Sequence, residues 1–231
     1  GKVLFLDQIQ KYADWSHELR ECHDSLPELK IVFTSSPLLQ VDEENPDLNG
    51  IVKSYYLEGL SFREYLNHFS NNGFGIYSFK DILTDHAGIA TEIISRVRPL
   101  AYFNDYLKYG FFPYFIDNPS FYDNTLLKHI NLALEIDVPY LNQIELKYLA
   151  KLRKLLHIIA EDTPLSPNVS KLAASVETSR ATVMNYLRYL KNAKLIQLLY
   201  ANGDEDEMKK PEKIYMHDTN LLYAIAPNNA D

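Results

Sequence analysis

Cysteine occurs once, at position 22, so no disulfide can close within the chain. Such cysteine usage fits a reducing compartment, and a cytoplasmic location is the expectation. Glycine is scarce, at 8 of 231 residues, which excludes a collagen-like repeat. No apolar run approaches the roughly 20 residues of a membrane-spanning helix, so no membrane partner is expected. The opening GKVLFLDQIQKY has an apolar run of only Val3 to Leu6, with no small-residue cleavage site after it, unlike a secretory signal. The seven histidines (17, 23, 68, 86, 129, 157 and 217) include no H-x-x-x-H pair, and no Cys-x-x-Cys accompanies them, which argues against zinc. A G-x-S-x-G nucleophile elbow is also missing. The most consequential absence is G-x-x-x-x-G-K-[ST], the loop whose backbone amides and lysine cradle phosphates. Gly1-Lys2 does not supply it, because no strand and loop precede that pair. These residues alone are therefore not expected to hydrolyse ATP.

What is present reads as an ordinary globular composition, 46% hydrophobic and 23% charged, too apolar and too weakly charged for a disordered chain. The length allows one large domain or two small ones. Val3 to Leu6 forms an apolar run ending in Asp7, the pattern of a buried parallel strand with an acid at its C-terminal end. Tyr12, Trp15, Leu19, Cys22 and Leu26 then recur at helical spacing, and Pro27 stops the helix. Leu29 to Phe33 reads as a second buried strand, ending at Thr34-Ser35-Ser36. Strand, helix and strand in so short a stretch predict a parallel pair. Ile51 to Leu57 is expected as a third strand, and Ser61 with Glu64 has the spacing of a capping box. A natural domain rarely opens in the middle of its sheet, so a fragment lacking its first strands is the expectation.

The stretch from Phe69 to Gly75 reads as a linker. Helical periodicity then runs over Phe79–Tyr109 with a break at Pro99, and over Phe121–Ile136. A longer helix is expected from Pro139, with Ile144, Leu149, Leu152, Leu156 and Ile159 on one face. The last third has its own order. Val169–Val176 is a short helix, Thr178 or Ser179 is placed as an N-cap, and Arg180–Asn192 is a second helix burying Val183, Tyr186, Leu187 and Leu190. Leu195–Tyr200 and Lys213–Met216 are strands joined by a hairpin. Helix, turn, helix and two-stranded wing is the winged helix-turn-helix arrangement.

Charge is divided unevenly along the chain. The formal net charge is −8, yet Lys147 to Tyr200 holds nine basic residues against three acids, a local +6. Asn185 and Arg188, of types that read base edges, face away from the apolar stripe of the second helix, near Ser179 and Arg180 at its start. The acidic tip Gly203-Asp204-Glu205-Asp206-Glu207 would repel a phosphate backbone. Two partner classes therefore stand open, DNA through the winged helix and a protein partner or second copy.

Asp7 at a strand end has the placement of a carboxylate that holds Mg²⁺ beside nucleotide phosphates, and Thr34 and Ser36 end the neighbouring strand where a polar group can sense the γ-phosphate. The series LFLDQIQKYADW, KIVFTSSPLL, GLSFREYL, YLKYGFFPYF and KIYMHDTNLLY resembles the bacterial and archaeal AAA-type ATPases that carry a winged helix and an uncharacterised C-terminal domain. The resemblance implies that Asp7 is the Walker B position, that Thr34 and Ser36 are sensor positions and that Arg63 belongs to the Ser-Phe-Arg-Glu signature. Gln8 stands where that family has a water-polarising Glu, Ser35 where it has Gly, and Ile51 where it has an arginine. The fold class it implies is an α/β remnant, the C-terminal half of a parallel AAA-type core over 1–68, followed by a mostly helical region. That region comprises a helical lid over 69–138 and a winged helix-turn-helix over 139–231. ATP and Mg²⁺ are the cofactors implied for the full-length protein, with Asp7 as the metal-binding carboxylate, and none is expected in this fragment.

Overall fold

The computed structural model describes residues 1–35, 45–139, 145–201 and 209–227. Strands β1 (Lys2–Leu6) and β2 (Leu29–Phe33) pair in parallel with Leu4 opposite Ile31 and Leu6 opposite Phe33. Helix α1 (Trp15–Ser25) crosses between them and buries Trp15 and Leu19 against Leu6, Ile31 and Phe33. Leu48 completes this small core. The expected apolar face of α1 is shorter than its spacing suggests, because Tyr12 and Leu26 lie beyond the ends of the helix and are exposed. Side chains alternate along a strand, so Val3, Phe5 and Val32 point away from α1, and all three are exposed.

The third expected strand does not form. Residues 51–57 pair with no strand among the described residues, and Tyr55, Tyr56 and Leu57 are exposed. The β-branched and aromatic residues there suit a strand, but a strand exists only when a neighbour accepts its backbone hydrogen bonds.

A larger core organises residues from Leu60 onward. Helix α2 (Phe62–Ser70) starts at the predicted capping box. The Ser61 hydroxyl accepts from the Glu64 amide, and Glu64 accepts from the Ser61 amide at 2.8 Å. It buries Tyr65 and Leu66, with Tyr65 edge-on to Phe115 and Tyr106. Helix α3 (Phe79–Arg96) buries none of its residues and bends at Asp85, whose carboxylate accepts the Gly88 amide at 3.1 Å. Helix α4 (Leu100–Tyr109) follows the predicted break at Pro99. The aromatic segment after Gly110 is not loop throughout, since α5 (Tyr114–Asp117) forms one turn within it. Helix α6 (Tyr122–Leu132) continues as a π-helical turn over Ala133–Asp137.

Helix α7 runs over Leu149–Glu161, so its regular part starts later than Pro139, and Ile144 lies outside the described residues. Leu152, Leu156 and Ile159 are buried as expected. Helices α8 (Val169–Ser175) and α9 (Arg180–Asn192) follow, capped by Asn168 and Ser179. The sequence expectation for α9 holds at each inward position, Val183, Tyr186, Leu187 and Leu190. Strands β3 (Ile196–Leu199) and β4 (Lys213–Met216) pair antiparallel, and Leu165 adds one bridge on the far edge of β4. Helix α10 (Thr219–Ile225) then returns to α4 and α6.

Asn220 joins these pieces. It is 1% exposed, and its amide oxygen accepts the Phe111 amide at 3.0 Å and the Tyr122 hydroxyl. Its amide nitrogen donates to the carbonyls of Tyr106, at 3.1 Å, and Leu107, at 2.9 Å. Burial pushes the Tyr122 hydroxyl well above its ordinary pKa, so it is a neutral donor at all working pH. Replacing Asn220 with Ala leaves the Phe111 amide and the Tyr122 hydroxyl without this partner, whereas the Tyr106 carbonyl keeps the Gly110 amide at 2.8 Å and Leu107 keeps the Thr219 hydroxyl at 2.7 Å. Each stranded buried group costs about 1–3 kcal/mol. Asn220→Ala is therefore expected to lower unfolding free energy by about 2 kcal/mol or more, read by urea denaturation. A loss below about 1 kcal/mol would show that the pin is not structural.

Candidate functional site

The ends of β1 and β2 bring three of the predicted residues together. Thr34 sits at its centre: its hydroxyl accepts the Gln8 amide at 3.0 Å and donates to the Asp7 carboxylate. The Thr34 amide donates to the Leu6 carbonyl at 2.9 Å, and its carbonyl accepts the Ile9 amide at 3.0 Å. Gln8 takes a left-handed backbone, φ 51°, which turns the chain out of β1 immediately after Asp7. Asp7 is exposed and orients through a single hydroxyl. Ser36 lies outside the described residues.

A magnesium–phosphate site needs one or two protein carboxylates, with phosphate and water filling the remaining positions. Asp7 fits that requirement as a single carboxylate fixed by Thr34. Among the described residues no cluster of three or more His, Cys, Asp or Glu could hold a metal by itself. Gln8 follows Asp7, and its side-chain amide takes no proton. Arg63 is half-buried on the first turn of α2.

Beyond β2 lies a cleft of about 910 Å³. One wall is the free side of β2, from Leu29 to Ser35, and the extended segment 51–59. The other wall belongs to the larger core: Phe111, Phe112, Lys194, Leu195 and His217. Gly59 faces the Phe111 ring so closely that a Cβ there would stand 2.3 Å from it, so the chain passes at this point only as glycine. Lys194 itself has φ 55°, in the turn between α9 and β3.

The helical pair presents the remaining predicted residues. Ser179 caps α9 by accepting the Thr182 amide at 3.0 Å. Arg180, Asn185 and Arg188 are exposed on α9, and the Arg188 guanidinium lies 5.7 Å from the Tyr189 ring centroid. These residues share one helix, far in the chain from Asp7 and Thr34. The acidic tip at 203–207 lies outside the described residues.

Sequence reasoning passed over Lys194 and His217. His217 precedes the Asp218 that caps α10 at the Asn220 amide, 2.7 Å away, and its ring stands edge-on to Phe111 with centroids 6.3 Å apart. Burial, then the Lys194 charge, hold the His217 imidazole below its ordinary pKa, with Glu58 opposing. Burial raises the Asp218 carboxyl, opposed by the Asn220 and Thr219 amides. The available signal was the Met-His-Asp run at the end of β4, which leaves a histidine where a strand turns inward.

A family model described as an AAA domain matches residues 1–66, and one described as a domain of unknown function (DUF8612) matches residues 100–231. Two proteins of Methanocaldococcus jannaschii are similar along almost the whole chain. Uncharacterized protein MJ1637 is 24% identical over 217 residues, 92% of this chain and 46% of its own length. Uncharacterized protein MJ1544 is 27% identical over 222 residues, 94% of this chain and 47% of its own length. The chain thus spans just under half the length of these curated relatives. No solved structure matches it.

The titration of His217 sets a pH dependence. Its folded pKa lies below the unfolded 6.5, so its contribution to stability is full above about 6.5 and is lost as pH falls toward the folded value. Asp218 acts with opposite sign and at lower pH, because its folded pKa is raised from 3.8. The melting temperature is expected to fall between pH 7 and pH 5, and His217→Gln is expected to flatten that slope. An equal slope in the variant would remove His217 from the account.

Proposed function

The chain belongs to the family of that domain of unknown function, with an AAA-type segment ahead of it, and from this premise we propose that it is part of an ATP-binding AAA-type protein. Residues 1–68 supply the second half of the nucleotide-binding core, residues 69–138 a helical lid and residues 139–231 a winged helix-turn-helix. The observation that carries this reading is the hydrogen-bonded set of Asp7, Thr34 and Gln8 at the C-terminal ends of two parallel strands. Ligands of open parallel sheets bind at that end. Parallel strands are also normally covered on both faces, and here Phe5 is 73% exposed on the face away from α1. In a longer polypeptide, further strands would extend the sheet and bring the phosphate cradle, and the helices joining them would cover that face. Asp7 would hold Mg²⁺ against the phosphates, with Thr34 keeping its carboxylate oriented. Mg²⁺ when bound would neutralise phosphate charge. Gln8 can orient a water by hydrogen bonding but cannot accept its proton, so hydrolysis is slow or absent.

A second reading, a winged-helix DNA binder, is favoured by the exposed Arg180, Asn185 and Arg188 on the helix that follows the turn. Ser179, as the cap, would place the first amides of α9 toward a phosphate. The same region serves equally as a protein-docking module if duplex binding is absent.

Calorimetry separates these readings. The 231-residue chain alone is expected to show no micromolar binding of MgATP. A longer polypeptide that adds a phosphate cradle ahead of β1 is expected to bind in the micromolar range, to lose at least tenfold in Asp7→Asn and to gain turnover of about 10²-fold in Gln8→Glu. Micromolar binding by the 231 residues would overturn the missing-cradle argument. For DNA, duplex affinity is expected to fall with salt and to drop about tenfold in Arg188→Ala, measured by fluorescence anisotropy. Affinity indifferent to both would end the DNA reading.

A further inference from the structure

The cleft beyond β2 carries charge of one dominant sign. At neutral pH its charged lining is Lys53 and Lys194 against Glu58, with His23, His129 and His217 beside them. Among the described residues Lys194 makes no ion pair. Lys53 instead lies 4.9 Å from the Tyr55 ring centroid. The rest of the lining is largely apolar, with Phe111 and Phe112 on the wall that bears Lys194 and His217. The Phe111 and Phe112 rings meet edge to face at 5.1 Å, so they present a shaped aromatic surface. A volume of about 910 Å³ is within the usual range for small-molecule sites. Cations at an aromatic-walled cleft select an anion with a flat apolar body. An uncharged ligand would leave the lysines uncompensated, and a bare inorganic anion would leave the aromatic wall unused.

We propose that this cleft binds a phosphate ester with an aromatic body, its phosphate met by Lys194 and Lys53 and its ring by Phe111 and Phe112, with His217 as the reporter between them. The inference rests on the nucleotide reading above and deepens it, naming contacts from the C-terminal region that neither Asp7 nor magnesium provides. Thr34 and Ser35 line the same cleft, so a ligand there touches both the strand ends and the turn between α9 and β3. Binding would thereby tie the position of the helical region to the occupancy of the strand-end site. This gives the Met216-His217-Asp218 run a role, since it joins β4 to the buried cap of α10.

The test is proton NMR of the histidine Hε1 resonances of the 231-residue chain, titrated with ATP, tripolyphosphate and adenosine in the absence of magnesium. Groups facing His217 are Lys194 from the α9–β3 turn, Glu58 from the extended segment and Asp218 beside it. ATP in the millimolar range is expected to move the His217 resonance and to shift its titration midpoint upward, because an added anion favours the imidazolium. Tripolyphosphate and adenosine are each expected to bind at least fivefold more weakly. Lys194→Asn is expected to weaken ATP at least tenfold. Asn tolerates the left-handed backbone at that position, so the variant tests charge and not folding. Lys53→Gln, on the opposite wall, is the second variant and is expected to weaken ATP at least threefold. An unmoved His217 signal, or unchanged affinity in both variants, would overturn the proposal. Tripolyphosphate binding as tightly as ATP would overturn its aromatic half. This binding is read without magnesium, so its loss and the loss of MgATP binding in the longer polypeptide are separate outcomes, and failure of the cleft and failure of the magnesium-dependent reading are distinguishable.

Discussion

The arrangement of the helical region depends on one side chain amide. Asn220 satisfies backbone and hydroxyl groups from three separate places: the end of α4, the aromatic turn after it and the first turn of α6. These groups are more than 90 residues distant in sequence, so their juxtaposition is a tertiary event. An amide suits the position because it donates and accepts at once. An aspartate would lose the two donations, and a leucine would strand the Tyr122 hydroxyl and the Phe111 amide in a low-dielectric interior. With α10 fixed in this way, His217 and Asp218 are carried to the edge of the cleft. The cap of α10 and the wall of the cleft are therefore one construction.

Local patterns were legible wherever a single element decides burial. The apolar spacing of Val183, Tyr186, Leu187 and Leu190 and the cap at Ser179 emerged from sequence because a helix face and its first turn are set within about ten residues. The Ser61–Glu64 box emerged for the same reason. The parallel pairing of β1 and β2 followed from the strand–helix–strand order. What failed was non-local. The 51–57 segment has strand composition, but pairing depends on a neighbour that composition does not reveal. Asn220 reads as a polar surface residue in an Asp-Thr-Asn run and is buried at 1% exposure.

The candidate site was legible only in part, for a related reason. Asp7 and Thr34 were found because strand ends collect polar residues, and their hydrogen bond now ties them to each other and to the Gln8 amide. Lys194 and His217 were missed because each is unremarkable beside its chain neighbours. They matter only because the turn after α9 and the end of β4 line one cleft with the segment that ends at Gly59, where the chain passes close to the Phe111 ring. Sequence exposes the residues of a motif more readily than the residues of a cleft between motifs.

The two halves of the chemistry make opposite demands on charge, and the chain separates them accordingly. A strand-end carboxylate for Mg²⁺ works where few other carboxylates compete for the same cation, and Asp7 belongs to no acidic cluster among the described residues. Phosphate contacts need cations, and Lys53 and Lys194, though exposed, stand beside an apolar wall that strengthens a charge pair formed there. The local excess of +6 between Lys147 and Tyr200 is divided between residues exposed on α9 and Lys194 in the turn after it. Arg180 and Arg188 are exposed on α9, where screening confines the reach of each charge to about a Debye length. Lys194 lines the aromatic-walled cleft, and in the proposed site it is the charge that would discriminate among small anions. The net negative charge of the whole chain does not weaken that discrimination, since over a Debye length of about 8 Å the nearest groups, and not the total, decide the field.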